Sequence, residues 1–311
     1  MRALVLAGGG SRGSWEAGAL KYMGESGLFK DGFDFVSGTS VGAINAAGVA
    51  QFPKEKFRES TVFIEDLWLK HITKTSDVWS LRFPVGIPGL WNPSVGKNIQ
   101  LETLLTKLVD IPAIQASGVQ VRFASVDVES GELVIHSGED LLKHGVQPIM
   151  SSASYPMAFP PVEIDGKWLT DGGVRDTAPL GAAIKAGADE IVVLTTRDPK
   201  QAGFKDRKKM GNVATFGQRC LSIQFHEVLQ NDIALCQTHN HYAKLAAVLA
   251  EHGVAEGVIE NIVEEMEPKK EVKLTVLYPL TPLGTSLDFS GDVMTEQIKQ
   301  GYSDAQALLG G

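Results

Sequence analysis

The sequence predicts an α/β fold in which a central, mostly parallel β-sheet is covered by helices. Short apolar segments alternate with stretches at helical spacing, which is the pattern of βαβ units and parallel strands. Several of the apolar segments end in glycine-bearing turns, as strands do when they lead directly into helices. Composition agrees with this fold class, because 43% apolar and 21% charged residues are typical of a globular chain with a substantial core.

The start of the chain shows this alternation most clearly. Residues 3–7 are a compact apolar run, residues 8–13 form a glycine turn and residues 14–23 resume at helical spacing. A second strand over residues 33–36 then leads, through another glycine turn, into a helix that begins at Val41. The order strand, helix, strand, helix implies that the two strands are parallel neighbours in one sheet.

The remaining elements follow from the same periodicities and from proline and glycine punctuation. We predict helices over 54–70, 96–109, within 145–154, over 179–186, 214–267 and 293–309, with a break near Gly253 and Gly257. We predict strands over 119–128, 132–136, 167–170, 190–195 and 272–280. Residues 129–131 join the first two of these strands as a hairpin, and residues 155–161 are extended or turning because three prolines punctuate them.

No shift in composition divides the chain, so we expect residues 1–311 to form a single domain. Residues 1–200 carry the motifs described below. Residues 201–311 complete the fold mainly with helices, together with one strand and a C-terminal helix. Cys220 and Cys236 lie in one predicted helix at a separation of about 24 Å, so they are not expected to pair.

Charge and hydropathy exclude some classes of partner. The net charge is −8, so the whole chain is not expected to bind nucleic acid or anionic lipid. Residues 197–209 are a local exception with a net charge of +4, and they are either a solvated loop or a contact with lipid headgroups. No apolar stretch is long enough to span a membrane and no signal peptide is evident, so we expect a cytoplasmic protein that contacts a membrane only peripherally.

Residues 38–42, GTSVG, match the G-x-S-x-G pattern of a nucleophile elbow. In this motif a serine lies at a sharp turn between a strand and a helix, and its hydroxyl is exposed at the helix N-terminus. Gly38 and Gly42 leave room for that strained turn. We therefore take Ser40 as the candidate nucleophile.

A serine hydroxyl needs a base within about 2.6–3.2 Å to take its proton. Asp171 is the candidate, because it ends a predicted strand and is followed by Gly172 and Gly173, which allow another backbone to come close. The carboxyl ends of parallel strands share one edge of a sheet. We therefore expect the three glycine turns at 8–13, 38–42 and 171–173 to converge in one crevice.

The first glycine turn supplies candidates for an oxyanion hole. Gly9 and Gly10 have no side chains and can direct successive backbone N–H groups at a developing negative oxygen. The N–H of Val41, which follows the nucleophile, is a third candidate donor. Arg12 either steadies this loop or attracts a phosphate-bearing substrate.

Three alternatives compete with this interpretation. Gly8, Gly10 and Gly13 spell the dinucleotide-binding pattern G-x-G-x-x-G, but the second strand ends in VSGTS and lacks the acidic residue that binds ribose. An α/β-hydrolase triad would take a histidine from His226, His239, His241 or His252, but these lie in a predicted helix and not in a loop after a strand. The H-x-H at 239–241 lacks further ligands at metal-binding spacing.

Residues 79–91, WSLRFPVGIPGLW, combine prolines with large apolar side chains between two predicted helices. Two interpretations are open for this segment. It is either an ordinary loop that covers the core or a lid beside the serine. In the second case its aromatic side chains would form an apolar entrance for an acyl chain.

Together these residues resemble the patatin-like phospholipase family. GGGSRG at 8–13, GTSVG at 38–42 and DGG at 171–173 match its three motifs in order, and residues 151–173 are similar to its approach to the catalytic aspartate. The resemblance covers residues 1–200 well and the helical remainder loosely. Ala7 departs from the acidic residue or glycine that many members carry there.

The resemblance implies a three-layer fold and a Ser–Asp dyad without a catalytic histidine. It assigns Ser40 as nucleophile and Asp171 as general base, with Gly9, Gly10 and Arg12 in the oxyanion loop. The implied reaction is hydrolysis of carboxylic esters of lipids, with phospholipid, lysophospholipid and acylglycerol all open as substrates, and it needs no metal or organic cofactor. A lipid- or acyl-binding regulator with little turnover remains the alternative from another class.

Overall fold

The structure is a computed structural model that describes residues 1–81, 92–198, 213–262 and 271–310. The strands are β1 Arg2–Leu6, β2 Phe35–Thr39, β3 Ser80–Leu81, β4 Gly96–Lys97, β5 Gln120–Asp127, β6 Leu133–Ser137, β7 Val162–Ile164, β8 Lys167–Asp171, β9 Glu190–Leu194 and β10 Lys273–Leu277. The helices are α1 Gly13–Glu25, α2 Val41–Ala50, α3 Phe57–Asp66, α4 Ile99–Leu108, α5 Ile111–Ala116, α6 Gly138–His144, α7 Gln147–Ser152, α8 Leu180–Lys185, α9 Val213–Glu251, α10 Glu256–Ile262 and α11 Gly291–Leu309.

Eight of the described strands form one mixed sheet, and β3 and β4 form a separate two-stranded ribbon. Within the large sheet, β10, β9, β1, β2 and β5 lie side by side in parallel. The strands β6, β7 and β8 add antiparallel pairings beyond β2. The mostly parallel sheet predicted from the sequence is therefore confirmed.

Helices cover both faces of the sheet, which gives three layers. The side chains of β1 alternate between the two faces of the sheet. Leu4 and Leu6 pack against one helical layer, and Ala3 and Val5 pack against the other. The first layer contributes buried side chains from α1, α2, α3, α4, α7 and α11, and the second from α8 and α9. Strands buried on both faces read as continuous apolar runs, as residues 3–7 do.

The antiparallel end of the sheet differs from the prediction. We expected the strand before Asp171 to be parallel to the others, but β8 runs antiparallel to β5. It is also paired by β7, an edge strand that was not predicted. The glycine turn at 171–173 therefore reaches the crevice from the opposite chain direction, and the expected convergence along parallel strand ends is wrong for this turn.

Smaller differences concern element boundaries. The predicted helix over 96–109 begins as β4, and α5 and α6 were not predicted. The long helical region is broken at residues 252–255, as expected near Gly253, but Gly257 lies inside α10. Residues 82–91 of the candidate lid and residues 199–209 of the basic segment lie outside the described residues. Cys220 and Cys236 are unpaired, as predicted.

Candidate active site

Ser40 lies at the turn between β2 and α2, where the elbow motif predicts it. Its backbone φ of 58° and ψ of −125° fall in a region that non-glycine residues rarely adopt, at a cost of roughly 1–3 kcal/mol. The close approaches around it explain the glycines, since a Cβ on Gly38 would collide with the Gly42 carbonyl and one on Gly42 with the Leu6 carbonyl. The chain therefore holds the serine in the strained geometry of a nucleophile elbow.

The register of β5 brings Asp171 next to this serine. On β5, Ala124 pairs with Thr39 at the end of β2, and the next residue, Ser125, pairs with Asp171. The strand β6 overlaps both pairings, and a strand has only two edges, so β2 and β8 must lie on the same edge of β5. Their carboxyl ends therefore meet head to head, and Asp171 occupies the position immediately beyond Thr39.

The carboxyl group of Asp171 is fully buried and only partly satisfied. Its Oδ1 atom accepts a hydrogen bond from the Gly173 N–H at 2.8 Å, while Oδ2 is buried without a well-formed hydrogen bond. Burial raises the pKa of Asp171 to about 7, against the opposing effects of the nearby Ser40 hydroxyl and the Gly173 N–H. A carboxyl group with this pKa is half ionised near neutrality, which suits a general base.

The two glycines after Asp171 lie too close to neighbouring atoms for a side chain to fit without a shift. A Cβ on Gly172 would collide with the Ala124 carbonyl, and one on Gly173 would lie 3.1 Å from Asp171 Oδ1 and 3.1 Å from the Phe225 ring. Glycine at both positions therefore lets β8 end directly against β5 and beneath α9.

The glycine loop at 8–13 lies beside the elbow. A Cβ on Gly8 would lie 3.2 Å from the Ser40 Cβ, and Gly10 has a φ of +62° that favours glycine. Among the described residues, no acceptor is recorded for the backbone N–H groups of Gly9 and Gly10. Both glycines line the same cavity as Ser40 and Val41, so all of the predicted oxyanion-loop donors are brought to one place.

Contacts from later parts of the chain fix this loop. Thr196 Oγ1 donates to the Gly8 carbonyl at 2.7 Å, and the Ser11 N–H donates to the Ser286 carbonyl at 2.8 Å. Arg12 Nε and Nη2 both donate to the Gly284 carbonyl, at 3.0 and 2.8 Å. Of the two roles considered for Arg12, the geometry favours steadying the loop.

A crevice that is partly open to solvent begins at Ser40. Most of its wall is apolar, with side chains contributed by α2, the π-helical turn at 67–71, α4, α9 and the segment before α11. The lining side chains include Val41, Ile44, Trp68, Ile72, Val78, Leu101, Phe159, Phe225, Leu287 and Phe289. An apolar lining of this kind beside the serine is suited to an acyl chain.

Sequence reasoning missed three residues at this site. Ser152 accepts a hydrogen bond from the Ser40 N–H at 3.0 Å, and Tyr155 and Arg197 line the cavity. All three lie in segments that the sequence brought to attention, residues 151–173 and 197–209. Their roles depend on side-chain direction, for which the sequence carries no signal.

The histidines of the alternative triad are not brought to the serine. His226, His239 and His241 lie on α9, and His252 follows that helix. His226 is buried, and neither of its ring nitrogens is hydrogen-bonded to a residue that the structure describes. Within the described part of the chain, no histidine is hydrogen-bonded to Ser40 or Asp171, and no group of three or more His, Cys, Asp or Glu side chains is arranged to hold a metal ion.

Fold and site together define an α/β protein with a serine nucleophile elbow beside a buried carboxyl group. The family model described as patatin-like phospholipase matches residues 4–184, more than half of the chain. The chain therefore belongs to the patatin-like phospholipase family, as its three motifs predict.

Individual relatives are distant. Patatin-like phospholipase domain-containing protein 7 of Mus musculus is 25% identical over 195 residues, and lysophospholipase NTE1 of Candida albicans is 25% identical over 191 residues. These matches cover 62% and 61% of this chain but only 13% of either relative, so this chain corresponds to a small part of those proteins. Among solved structures, VipD from Legionella pneumophila is similar over 99% of this chain and 66% of its own, with 15% identity and a TM-score of 0.43.

Proposed function

We propose that this protein is a serine acyl hydrolase that cleaves carboxylic esters of lipids through a Ser40–Asp171 dyad. The observation that carries the proposal is the pairing on β5, which sets a buried carboxyl group directly beyond β2, the strand that leads into the elbow serine. Family membership supports a lipid substrate, and the apolar cavity beside Ser40 provides space for its acyl chain.

In the first half of the reaction, Asp171 accepts the proton of the Ser40 hydroxyl as its oxygen attacks the ester carbonyl carbon. The negative charge on the carbonyl oxygen is stabilised by the N–H groups of Gly9, Gly10 and Val41. When the tetrahedral intermediate collapses, the bond to the alcohol oxygen breaks and Asp171 returns the proton to that oxygen. The acyl group remains attached to Ser40 as an ester.

Water completes the cycle. Asp171 takes a proton from a water molecule, whose oxygen attacks the acyl carbon, and the same donors stabilise the second tetrahedral intermediate. The bond to Ser40 then breaks, the serine recovers its proton and a fatty acid leaves. These steps use only groups of this chain, so we propose that the reaction needs no metal or organic cofactor.

We further propose that residues 1–311 act as one domain in the cytoplasm and reach lipid by peripheral contact. None of the helices in the described ranges is both long and apolar enough to cross a membrane. The peripheral contact is a proposal that rests on the lipid substrate and on the basic composition of residues 197–209.

Hydrolysis of p-nitrophenyl esters and of a lysophospholipid by the wild-type protein and by Ser40→Ala tests the proposal. We expect the alanine variant to lose activity by about 10³-fold or more, since no other described hydroxyl occupies the elbow. Ser60→Ala is a matched control, because Ser60 is also buried and donates to the Phe57 carbonyl in α3, away from the site. Full activity in Ser40→Ala would contradict the proposal. Lipid binding without turnover by the wild type would favour the regulatory alternative.

A further inference from the structure

The cavity beside Ser40 is mostly apolar, but a few polar side chains also line it. Among its lining residues, Arg197 is the single one with a formal charge, and the Tyr155 hydroxyl is the main uncharged polar group besides serines. Arg197 follows β9 and lies in the loop that starts the basic segment. A hydrocarbon chain makes no hydrogen bond to a guanidinium group. We therefore expect Arg197 to contact a different part of the substrate.

The two arginines near the site are held differently. Arg12 directs both Nε and Nη2 at the Gly284 carbonyl and does not line the cavity. Arg197 uses Nη1 for Ser222, at 2.6 Å to the carbonyl and 3.1 Å to Oγ. Its Nε and Nη2 atoms donate to none of the residues that the structure describes. A planar guanidinium group whose remaining N–H donors are free is suited to binding a phosphate group.

The electrostatics around Arg197 favour the binding of an anion. Burial and the charge of Arg197 lower the pKa of Arg12 to about 9, and burial likewise lowers the pKa of Arg197. Within the described ranges, no carboxylate forms an ion pair with either arginine. Partly buried positive charge without a counter-ion is costly, and an anionic ligand would relieve that cost.

Tyr155 is a hydrogen-bond donor that lines the same cavity. Its ring packs edge-on against Phe225, with centroids 5.5 Å apart. Burial raises its pKa to about 12, helped by the Asp171 carboxylate and opposed by the two arginines, so the phenol stays protonated. A neutral hydroxyl beside a guanidinium provides a second hydrogen bond to an anionic oxygen without adding negative charge.

We propose that Arg197 and Tyr155 form a phosphate subsite in this cavity and favour an acyl ester that carries a phosphate over the matching neutral ester. The inference rests on the proposed hydrolase function, since it assigns the group attached to the alcohol side of the scissile ester. The apolar wall holds the acyl chain, Ser40 lies at the ester, and the phosphate of the leaving group reaches Arg197.

The test compares two substrates with the same acyl chain, 1-oleoyl-lysophosphatidylglycerol and 1-oleoylglycerol, and uses kcat/KM. We expect Arg197→Gln to lower kcat/KM for the phospholipid about 10-fold or more and to leave that for oleoylglycerol within about twofold, because a charge-assisted hydrogen-bond pair is lost. Arg197→Lys should keep a substantial part of the preference, and Tyr155→Phe should reduce it by a smaller factor. Arg175→Gln is a control, because Arg175 is exposed and donates to the Gly131 carbonyl outside the cavity.

The outcomes separate the inference from the function it rests on. If the wild type hydrolyses neither lipid, the proposed function fails. If it hydrolyses both and Arg197→Gln lowers the two rates equally or not at all, only the phosphate subsite is overturned; an equal loss indicates that Arg197 merely anchors α9 through Ser222. Inhibition by inorganic phosphate that Arg197→Gln abolishes, with no change in lipid preference, would assign the subsite to free phosphate and overturn its role in substrate choice.

Discussion

The two ends of the sheet build the site in opposite ways. At the parallel end, β1 and β2 each lead through a glycine turn into a helix, and these turns provide the oxyanion loop and Ser40. At the antiparallel end, β8 arrives from the other direction and places Asp171 against β5. Nucleophile and base therefore depend on different features, a local strand–turn–helix motif in one case and the register of a long-range strand pairing in the other.

This contrast explains what the sequence could predict. The elbow and the loop at 8–13 are local, so glycine spacing and apolar runs sufficed to locate them. Asp171 was found through its DGG turn and the family resemblance, but the direction of β8 was predicted incorrectly. A five-residue strand carries no periodic signal that distinguishes parallel from antiparallel pairing.

The polar residues around the site could not be predicted for a further reason. Ser152, Tyr155 and Arg197 lie far from Ser40 along the chain. The fold alone brings Ser152 to the Ser40 N–H and the other two to the cavity beside Ser40. Arg12 was recognised from its motif, but its bonds to Gly284 depend on a segment near the C-terminus. Contacts of this kind follow from packing, which single-sequence patterns do not encode.

Removing the base at the antiparallel end should have the largest effect. We expect Asp171→Asn to lower kcat by about 10²–10⁴-fold, because general base catalysis contributes that much. The fold should survive. The pKa of Asp171 is about 7 in the folded protein and 3.8 in its ordinary state. Between about pH 4 and 7 the carboxyl group is therefore ionised in the unfolded chain but still protonated in the folded one, and the free energy of unfolding falls as the pH rises. The variant should therefore be at least as stable as the wild type at pH 8, by thermal unfolding.

Asp127→Asn is the matched control for this substitution. Asp127 lies at the end of β5, where it accepts hydrogen bonds from the Glu129 N–H and the Ser130 hydroxyl. We expect this variant to keep its activity within a few-fold. Normal turnover by Asp171→Asn would remove this residue from the mechanism.

Disturbing the oxyanion loop at the parallel end should have the next largest effect. In Gly10→Ala, the new Cβ collides with the Ser286 carbonyl at a φ of +62°, so the loop must shift and its N–H groups lose their direction. We expect kcat to fall about 10²-fold, the usual effect of losing one oxyanion donor. Gly27→Ala is the control, because Gly27 has a φ of +73° but open space around it. Equal losses of activity in both variants would show that strain alone is responsible.

The junction between β8 and β5 is tested by Gly172→Ala. The new Cβ meets the Ala124 carbonyl, a backbone atom that cannot move without breaking the sheet. We expect a loss of about 2–4 kcal/mol in the free energy of unfolding, measured by urea denaturation. Gly181→Ala in α8 has no atom within 4 Å of the new Cβ and should be neutral or slightly stabilising. A stable Gly172→Ala protein would argue against this register.

Ser152→Ala should have the smallest effect. It removes the acceptor that fixes the Ser40 N–H, so the nucleophile is held less precisely, and we expect roughly a 10-fold loss in kcat/KM. Ser151→Ala is the neighbouring control, since Ser151 donates to the Pro148 carbonyl and does not contact Ser40. A larger loss in the Ser151 variant would show that α7 acts by packing and not through this hydrogen bond.

The dyad is tested most directly by the pH dependence of covalent labelling at Ser40. A fluorophosphonate probe should modify Ser40, identified by peptide mass, at a rate that rises with pH and levels off above an apparent pKa of about 7, because Asp171 must be ionised to take the serine proton. In Asp171→Asn the rate should be far lower and lose this pH dependence. Labelling at another residue, or an unchanged pH profile in Asp171→Asn, would contradict the Ser40–Asp171 assignment.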